Sequence, residues 1–271
     1  MGTLHAREAI ERGFEVRHFE AAPETRQSSV RSFGFLTFSS AAPGLDLEFS
    51  LEARRRWFEL LGDDAPELLR PTTSLVVAAD SDELAALEKL ATCADADDRG
   101  WELLDRINTE SAEPALAGDY TGALRSDRDA LIDPTASLRV LREQMAASDN
   151  YRFLPGSEVL ELQSDAVVDH TGRVTRGDFV VACTGSDFRL ASSVLGQPSA
   201  LRPVRIQALH TRPGPHTPAV PITGLPSLLS HGLGDGTLPS RPVTARDTSV
   251  RIQVKCVPRP DGGMLIGEVL D

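Results

Sequence analysis

The stretch Gly2-Thr3-Leu4-His5-Ala6-Arg7-Glu8-Ala9-Ile10-Glu11-Arg12-Gly13, continued by Phe14-Glu15-Val16-Arg17-His18-Phe19-Glu20, decides the fold class. Leu4, Ala6, Ala9 and Ile10 recur at helical spacing, so residues 3–12 predict a helix. Gly13 stands where a helix commonly ends in glycine. Phe14 to Phe19 then predicts a strand, with an acid, Glu20, at its end.

A dinucleotide-binding βαβ unit needs a glycine where helix and strand pack closely. It also needs an acid about 20 residues further on, to accept from a ribose hydroxyl. Gly2 and Glu20 lie 18 residues apart, which fits Gly2 as the third glycine of G-x-G-x-x-G. The strand and the two glycines that such a motif places earlier are not in this sequence, so the chain is expected to be cut at this end. Alone, Gly2–Glu20 reads equally well as a plain helix and strand ending in Glu.

Outward from this stretch, residues 21–45 are rich in Ser, Gly, Ala and Pro and predict a long functional loop. Residues 46–61 predict a helix, and 73–79 (TSLVVAA) a buried strand followed by a helix from Asp82 to about Ala96. Residues 80–113 hold 11 acids against three bases, a solvated acidic face. Tyr120–Arg125 predicts a strand, and Asp133-Pro134 opens a helix with Asp as N-cap and Pro in the first turn. From 151 the pattern turns to strands: YRFLP, EVLELQ, AVVDH and DFVVACTG. The last is a continuous apolar run, expected of a strand buried on both faces. Nine of the 18 prolines fall in 198–242, which argues against helix there. Residues 250–257 and 263–269 predict a hairpin turning at Pro260-Asp261-Gly262-Gly263.

Composition narrows the function classes. The chain has 271 residues, is 41% hydrophobic and carries a net charge of -12. An acidic surface repels phosphate backbones, which argues against nucleic-acid binding. No apolar run reaches the ~18 residues of a membrane span. Cys93, Cys183 and Cys256 have no close spacing, which excludes a disulfide scaffold or cysteine-based zinc site and suits a reducing cytoplasm. The six histidines show no metal spacing.

Two further segments carry a resemblance. One is Ser28-Ser29-Val30-Arg31-Ser32-Phe33-Gly34-Phe35, and the other Gly177-Asp178-Phe179-Val180-Val181-Ala182-Cys183-Thr184-Gly185-Ser186. With Gly2–Glu20 they stand in the order found in FAD-dependent oxidoreductases of the D-amino-acid oxidase/glycine oxidase superfamily, which this sequence resembles. The form S-V-R-S-F-G-F is similar to a bacterial branch associated with phosphonate catabolism. The resemblance spans most of residues 2–212 and partly returns at 250–271. Relatives continue beyond a strand end like Gly267-Glu268, so the C-terminus is also expected to be cut.

The resemblance implies an α/β fold. A Rossmann-like FAD-binding module lacking its first strand takes 1–45 and 130–200. A mixed-sheet α+β substrate module, incomplete, takes 46–129 and 201–271. It implies FAD contacts at Gly2, Glu20, Ser28, Ser29, Arg31, Phe33, Gly34, Val159, Thr184 and Gly185, with Val159 meeting the adenine through its backbone. His231 and Arg205 are implied at the substrate. Arg31, Arg202, Arg205 and Lys255 are candidate anion binders, because phosphonates and carboxylates favour paired donors.

The activity implied is oxidation of a C–N bond in a small amine, an aminophosphonate or amino acid. Hydride passes to the flavin, and oxygen or another acceptor reoxidises it. Two other readings stay open: a non-catalytic remnant that no longer retains FAD, and a nicotinamide-dependent dehydrogenase. The serine-rich loop and the late A-C-T-G segment argue against the second.

Overall fold

The computed structural model describes residues 1–26, 28–61, 66–185, 187, 190, 192, 206–233 and 251–270, with backbone alone at 251–253 and 268–270. Residues Met1–Ser32 with Asp133–Pro203 form one compact unit, and Phe33–Ile132 with Val204–Asp271 form a second. Residues 33–45 therefore fall in the second.

The chain opens with α1 (Gly2–Glu11), β1 (Val16–Glu20), β2 (Phe35–Leu36) and α2 (Leu45–Leu61). Next come β3 (Leu69–Pro71), β4 (Ser74–Ala78), α3 (Ser81–Ala91), β5 (Trp101–Asp105) and α4 (Arg106–Ala112). After β6 (Gly122–Ser126), β7 (Ala130–Ile132) and α5 (Pro134–Ala146) follow β8 (Tyr151–Pro155), β9 (Val159–Leu162), β10 (Ala166–Asp169) and β11 (Val174–Arg176). The last strands are β12 (Ile206–His210), β13 (Ile222–Gly224), β14 (Arg251–Pro258) and β15 (Met264–Leu270).

In the first unit β1 and β8 pair in parallel, Val16 opposite Tyr151 through Glu20 opposite Pro155. α1 ends in a paired-bond cap: Phe14 N–H donates to Ala9 O at 3.0 Å and Gly13 N–H to Ile10 O at 2.9 Å. Gly13 has φ +86, a left-handed conformation that costs glycine little. α5 begins as its sequence predicts. The Asp133 carboxylate accepts from Thr135 N and Ala136 N, both at 2.9 Å, and Pro134 supplies a first-turn φ without needing a hydrogen bond. Ala6, Met145 and Tyr151 form this unit's small core. Strands β9, β10 and β11 make an antiparallel meander.

One expectation is corrected here. Residues 178–185 form no strand, and Phe179 and Val181 are 77% and 65% exposed. A strand buried on both faces needs neighbours to complete its ladder and cover its sides. Among the described residues the parallel sheet of this unit contains β1 and β8 alone. Phe179 instead meets Phe14 edge to face, with ring centroids 6.1 Å apart.

In the second unit seven strands run in the order β12-β15-β14-β13-β4-β6-β5. Only β13 and β4 run parallel. The run Ser74–Ala78 lies centrally and alternates its faces as a strand must. Val76 and Ala78 pack on Ala86, Leu87 and Leu90 of α3, while Leu75 joins Leu104 and Ala123 on the other side. Asp80 caps α3, accepting from Asp82 N at 3.1 Å and Glu83 N at 2.9 Å. α3 ends at Ala91, five residues before the expected Ala96, and the chain turns through residues 92–100 into β5. β14 and β15 form the expected hairpin, with Gly262 in its turn at φ +82. A second sheet joins β2, β7 and β3.

Candidate functional site

Each unit carries one cluster of candidate residues. In the first, α1 begins at Gly2 with no acid in its first turn. No carboxylate of that turn opposes the positive end of the helix dipole, the end that favours phosphate. Beside it lie two other segments. A Cβ placed on Gly2 would stand 3.2 Å from His18 Nε2 and 3.6 Å from Cys183 Cβ. The glycine thus allows β1 and the Cys183-Thr184-Gly185 turn to approach the helix end. Gly185 has φ +61, and Thr184 O accepts from Asp187 N at 3.1 Å.

Glu20 closes β1. Its side chain accepts from Ala22 N at 3.2 Å and its backbone carbonyl from Ser157 N at 2.9 Å. The acid is thereby held at the strand end, half-buried, as an acceptor for a ribose needs. Ser28, Ser29 and Arg31 lie on exposed turns of the first unit, and Val159 opens β9 half-buried. The structure brings Cys183, which precedes Thr184 and Gly185 in the chain, to Gly2 at the start of α1. A helix start with no first-turn acid, a close-approach glycine and a strand-end carboxylate are part of the set that holds a dinucleotide, and in these features the residues fit FAD.

His18 belongs to this cluster and was missed from the sequence. Its signal was alternation: Val16, His18 and Glu20 share a strand face. His18 Nδ1 lies 3.0 Å from Tyr151 Oη. Burial first, then the charges of Arg142 and the amino terminus, lower its pKa to about 4, so the imidazole is neutral near pH 7. Burial likewise pushes the Tyr151 phenol up to about 12.

In the second unit Phe33 and Gly34 are held against β7 and β14. Gly34 has φ +68 and accepts from Ile132 N at 2.8 Å; a Cβ there would strike the Ile132 carbonyl oxygen. Arg259 Nη1 stands 3.5 Å from Phe33 O, and Lys255 Nζ lies 5.8 Å from the Phe33 ring centroid. Two cations from the hairpin therefore converge on the Phe33-Gly34 stretch. Arg259 was missed from the sequence, where 26 arginines make any single one inconspicuous. Arg202 and Arg205 lie outside the described residues.

His231 is exposed, at the lip of a cavity of about 10 Å³ that reaches Asp129 and is lined by Ser40, Ser74, Thr223 and Ser227. Asp129 accepts from Ser39 N at 2.9 Å, Ser39 Oγ at 3.1 Å and Ser74 Oγ at 2.5 Å. Burial raises its pKa against these bonds. Fully buried Arg99 donates to Ser39 O and Ala41 O, both at 2.7 Å, and to Asp95 at 2.7 Å. Asp129 and Arg99 thus fix from two sides the chain that follows Phe33-Gly34. Among the described residues, no group of three or more His, Cys, Asp or Glu side chains is placed to hold a metal ion. No helix among them is long and apolar enough to cross a membrane.

Comparison with known proteins agrees with this chemistry. Among solved structures, the chain is similar to glycine oxidase from Geobacillus kaustophilus. The TM-score is 0.76 at 18% identity, over 100% of this chain and 68% of that one. Glycine oxidase from Bacillus cereus ATCC 14579 superposes with a TM-score of 0.77 at 16% identity, over 99% and 68%. L-amino acid deaminase from Proteus vulgaris gives 0.71 at 15%, over 98% and 64%. At such identities these likenesses establish the fold alone. No curated protein matches the sequence. The family described as DAO, FAD dependent oxidoreductase, matches residues 1–269. With its α/β fold and a helix end fitted to a dinucleotide, the chain belongs to the DAO family of FAD-dependent oxidoreductases.

Proposed function

We propose that this enzyme oxidises the C–N bond of a small amine that carries an anionic group, an aminophosphonate or amino acid, to an imine that water hydrolyses. The carrying observation is the convergence of Arg259 and Lys255 on Phe33-Gly34. Two cations from one hairpin suit a phosphonate or carboxylate, and the half-buried Phe33 ring supplies an apolar wall beside them. FAD, when bound, accepts the hydride from the substrate's α-carbon.

In this reading the first unit holds the cofactor. The α1 start and the Thr184-Gly185 turn take the diphosphate, Glu20 takes a ribose hydroxyl, and Val159 meets the adenine through its backbone. Ser28, Ser29 and Arg31 lie along the diphosphate. The second unit holds the substrate: Lys255 and Arg259 bind its anionic end and orient the C–H bond. Arg205 and His231 are further contacts in the same proposal. The acceptor that reoxidises the flavin is oxygen or another carrier. A reducing cytoplasm is the compartment in the same proposal.

A second reading is favoured by one observation, the exposure of Phe179 and Val181. It holds that the chain keeps the family fold but does not retain FAD. The visible spectrum after FAD addition and desalting separates the two. Retained flavin absorbance near ~450 nm supports the first reading, and a colourless protein supports the second. With flavin retained, aminomethylphosphonate and glycine should bleach it anaerobically and a neutral alkylamine should not. Bleaching by all three at equal rates would overturn the assignment of Lys255 and Arg259.

A further inference from the structure

The second unit carries an open groove of about 720 Å³ between α2 and the turn that joins β6 to β7. That volume is in the range of small-molecule sites. Its apolar surface comes from Leu51 and Phe58 of α2 and from Pro71. The groove uses none of the residues assigned above to FAD or substrate.

Two guanidinium groups are locked along it. Arg54 Nε donates to Arg128 O at 2.8 Å, and its Cζ lies over the Phe58 ring, 5.0 Å from the centroid. Arg128 Nε donates to Asp98 O at 3.2 Å. Each side chain is therefore fixed through Nε to a backbone carbonyl, and neither spends its Nη atoms on a carboxylate among the described residues. Arg55 differs: it is bound by Glu52 and Glu59, which cancels its charge and that of Glu59. Asp127 Oδ1 lies 3.7 Å from Arg128 Nε, a loose contact, and Asp98 also lines the groove. Arg54 forms no ion pair among the described residues, and its charge acts on Asp129 from a distance.

An arginine pre-set by Nε presents Nη donors without further loss of rotamer freedom, and paired guanidinium donors match the two oxygens of a carboxylate. An apolar floor beside them matches a flat hydrocarbon body. We propose that this groove is a binding site for a planar organic carboxylate, with Arg54 and Arg128 holding the carboxylate and Leu51, Phe58 and Pro71 the body.

The test uses 4-fluorobenzoate and ¹⁹F line broadening on the full chain, with fluorobenzene and inorganic phosphate as comparison probes. The expected result is saturable binding of 4-fluorobenzoate, with fluorobenzene and phosphate each weaker by about tenfold or more, because each lacks half of the recognised group. Arg54→Gln and Arg128→Gln should each weaken 4-fluorobenzoate by about tenfold, the loss of one charge-assisted bond, whereas Arg259→Gln should leave this binding in place. Far-UV circular dichroism checks that each variant is folded, and either folded variant alone decides the matter. Binding unaffected by the groove variants, abolished by Arg259→Gln, or equal for 4-fluorobenzoate and fluorobenzene would overturn the proposal.

Discussion

Lowering the pH from 7 to 5 should destabilise the protein through one residue, His18. Its pKa is lowered to about 4 by burial, the charge of Arg142 and the amino terminus, against an ordinary 6.5. Between those values the unfolded chain binds a proton that the folded chain refuses, so stability rises with pH in this window and falls as pH drops. A difference of about 2.5 units sets a ceiling of roughly 3 kcal/mol. Over the accessible range, protonation of the unfolded state alone gives a loss of about 2 kcal/mol between pH 7 and pH 5. Other groups shift in different senses. Asp95 and Asp169 are lowered by hydrogen bonds and contribute below this window, whereas Asp129 is raised by burial and acts in the opposite direction. A difference between wild type and His18→Gln removes those contributions. Urea unfolding of both at pH 7 and pH 5 measures it, and ¹H NMR titration of the imidazole checks the pKa directly. Equal pH slopes in the two proteins, or an imidazole titrating near 6.5, would refute the reasoning.

Three more outcomes follow from single contacts. Asp133→Ala removes the two N-cap bonds of α5 and should cost about 1 kcal/mol in urea unfolding, with Asp133→Ser retaining most of it. Gly34→Ala forces a Cβ against the Ile132 carbonyl at φ +68, so it should destabilise the second unit by more than ~1 kcal/mol; a neutral result would mean the Phe33-Gly34 stretch is not held as described. Glu20→Ala should weaken FAD retention by about tenfold, read as flavin remaining after desalting, while unchanged retention in a flavin-loaded protein would remove Glu20 from the ribose site.

What could be read from the sequence depended on whether the signal was local. α5 was legible because Asp133-Pro134 both caps and starts a helix within two residues. The β14–β15 hairpin was legible because its turn is spelled Pro260-Asp261-Gly262-Gly263. α4 was not: in Arg106–Ala112 the large apolar residue is Ile107, and it is 75% exposed, so no amphipathic period exists to detect. β5 lay hidden in the same acidic stretch. The buried charges could not be found at all. Arg99 and Glu113 sit among surface acids in the sequence, yet both are buried. Glu113 accepts from Ala115, Ala219 and Val220 N–H groups, two of them more than 100 positions away. The second site cluster shows the same division. Gly34 was visible in its motif and Lys255 was among the candidate anion binders; Arg259 became visible only once the hairpin was placed against Phe33.

Residues 177–185 show where local reading stops. Phe179, Val180, Val181 and Ala182 carry the composition of a doubly buried strand, and their neighbours Thr184 and Gly185 were read as a cofactor turn. The turn does lie by the α1 start, through Cys183 and Gly2. The strand does not form, because apolar character selects for burial but hydrogen-bonded pairing needs a second edge at the right spacing. The two properties separate here within one short segment. The close approach at Gly2 involves α1, His18 of β1 and Cys183, and the C-terminal cap of α1 and the β1–β8 pairing form without 178–182. The candidate site at the α1 start therefore rests on α1 and β1 and not on the strand that the apolar run implied.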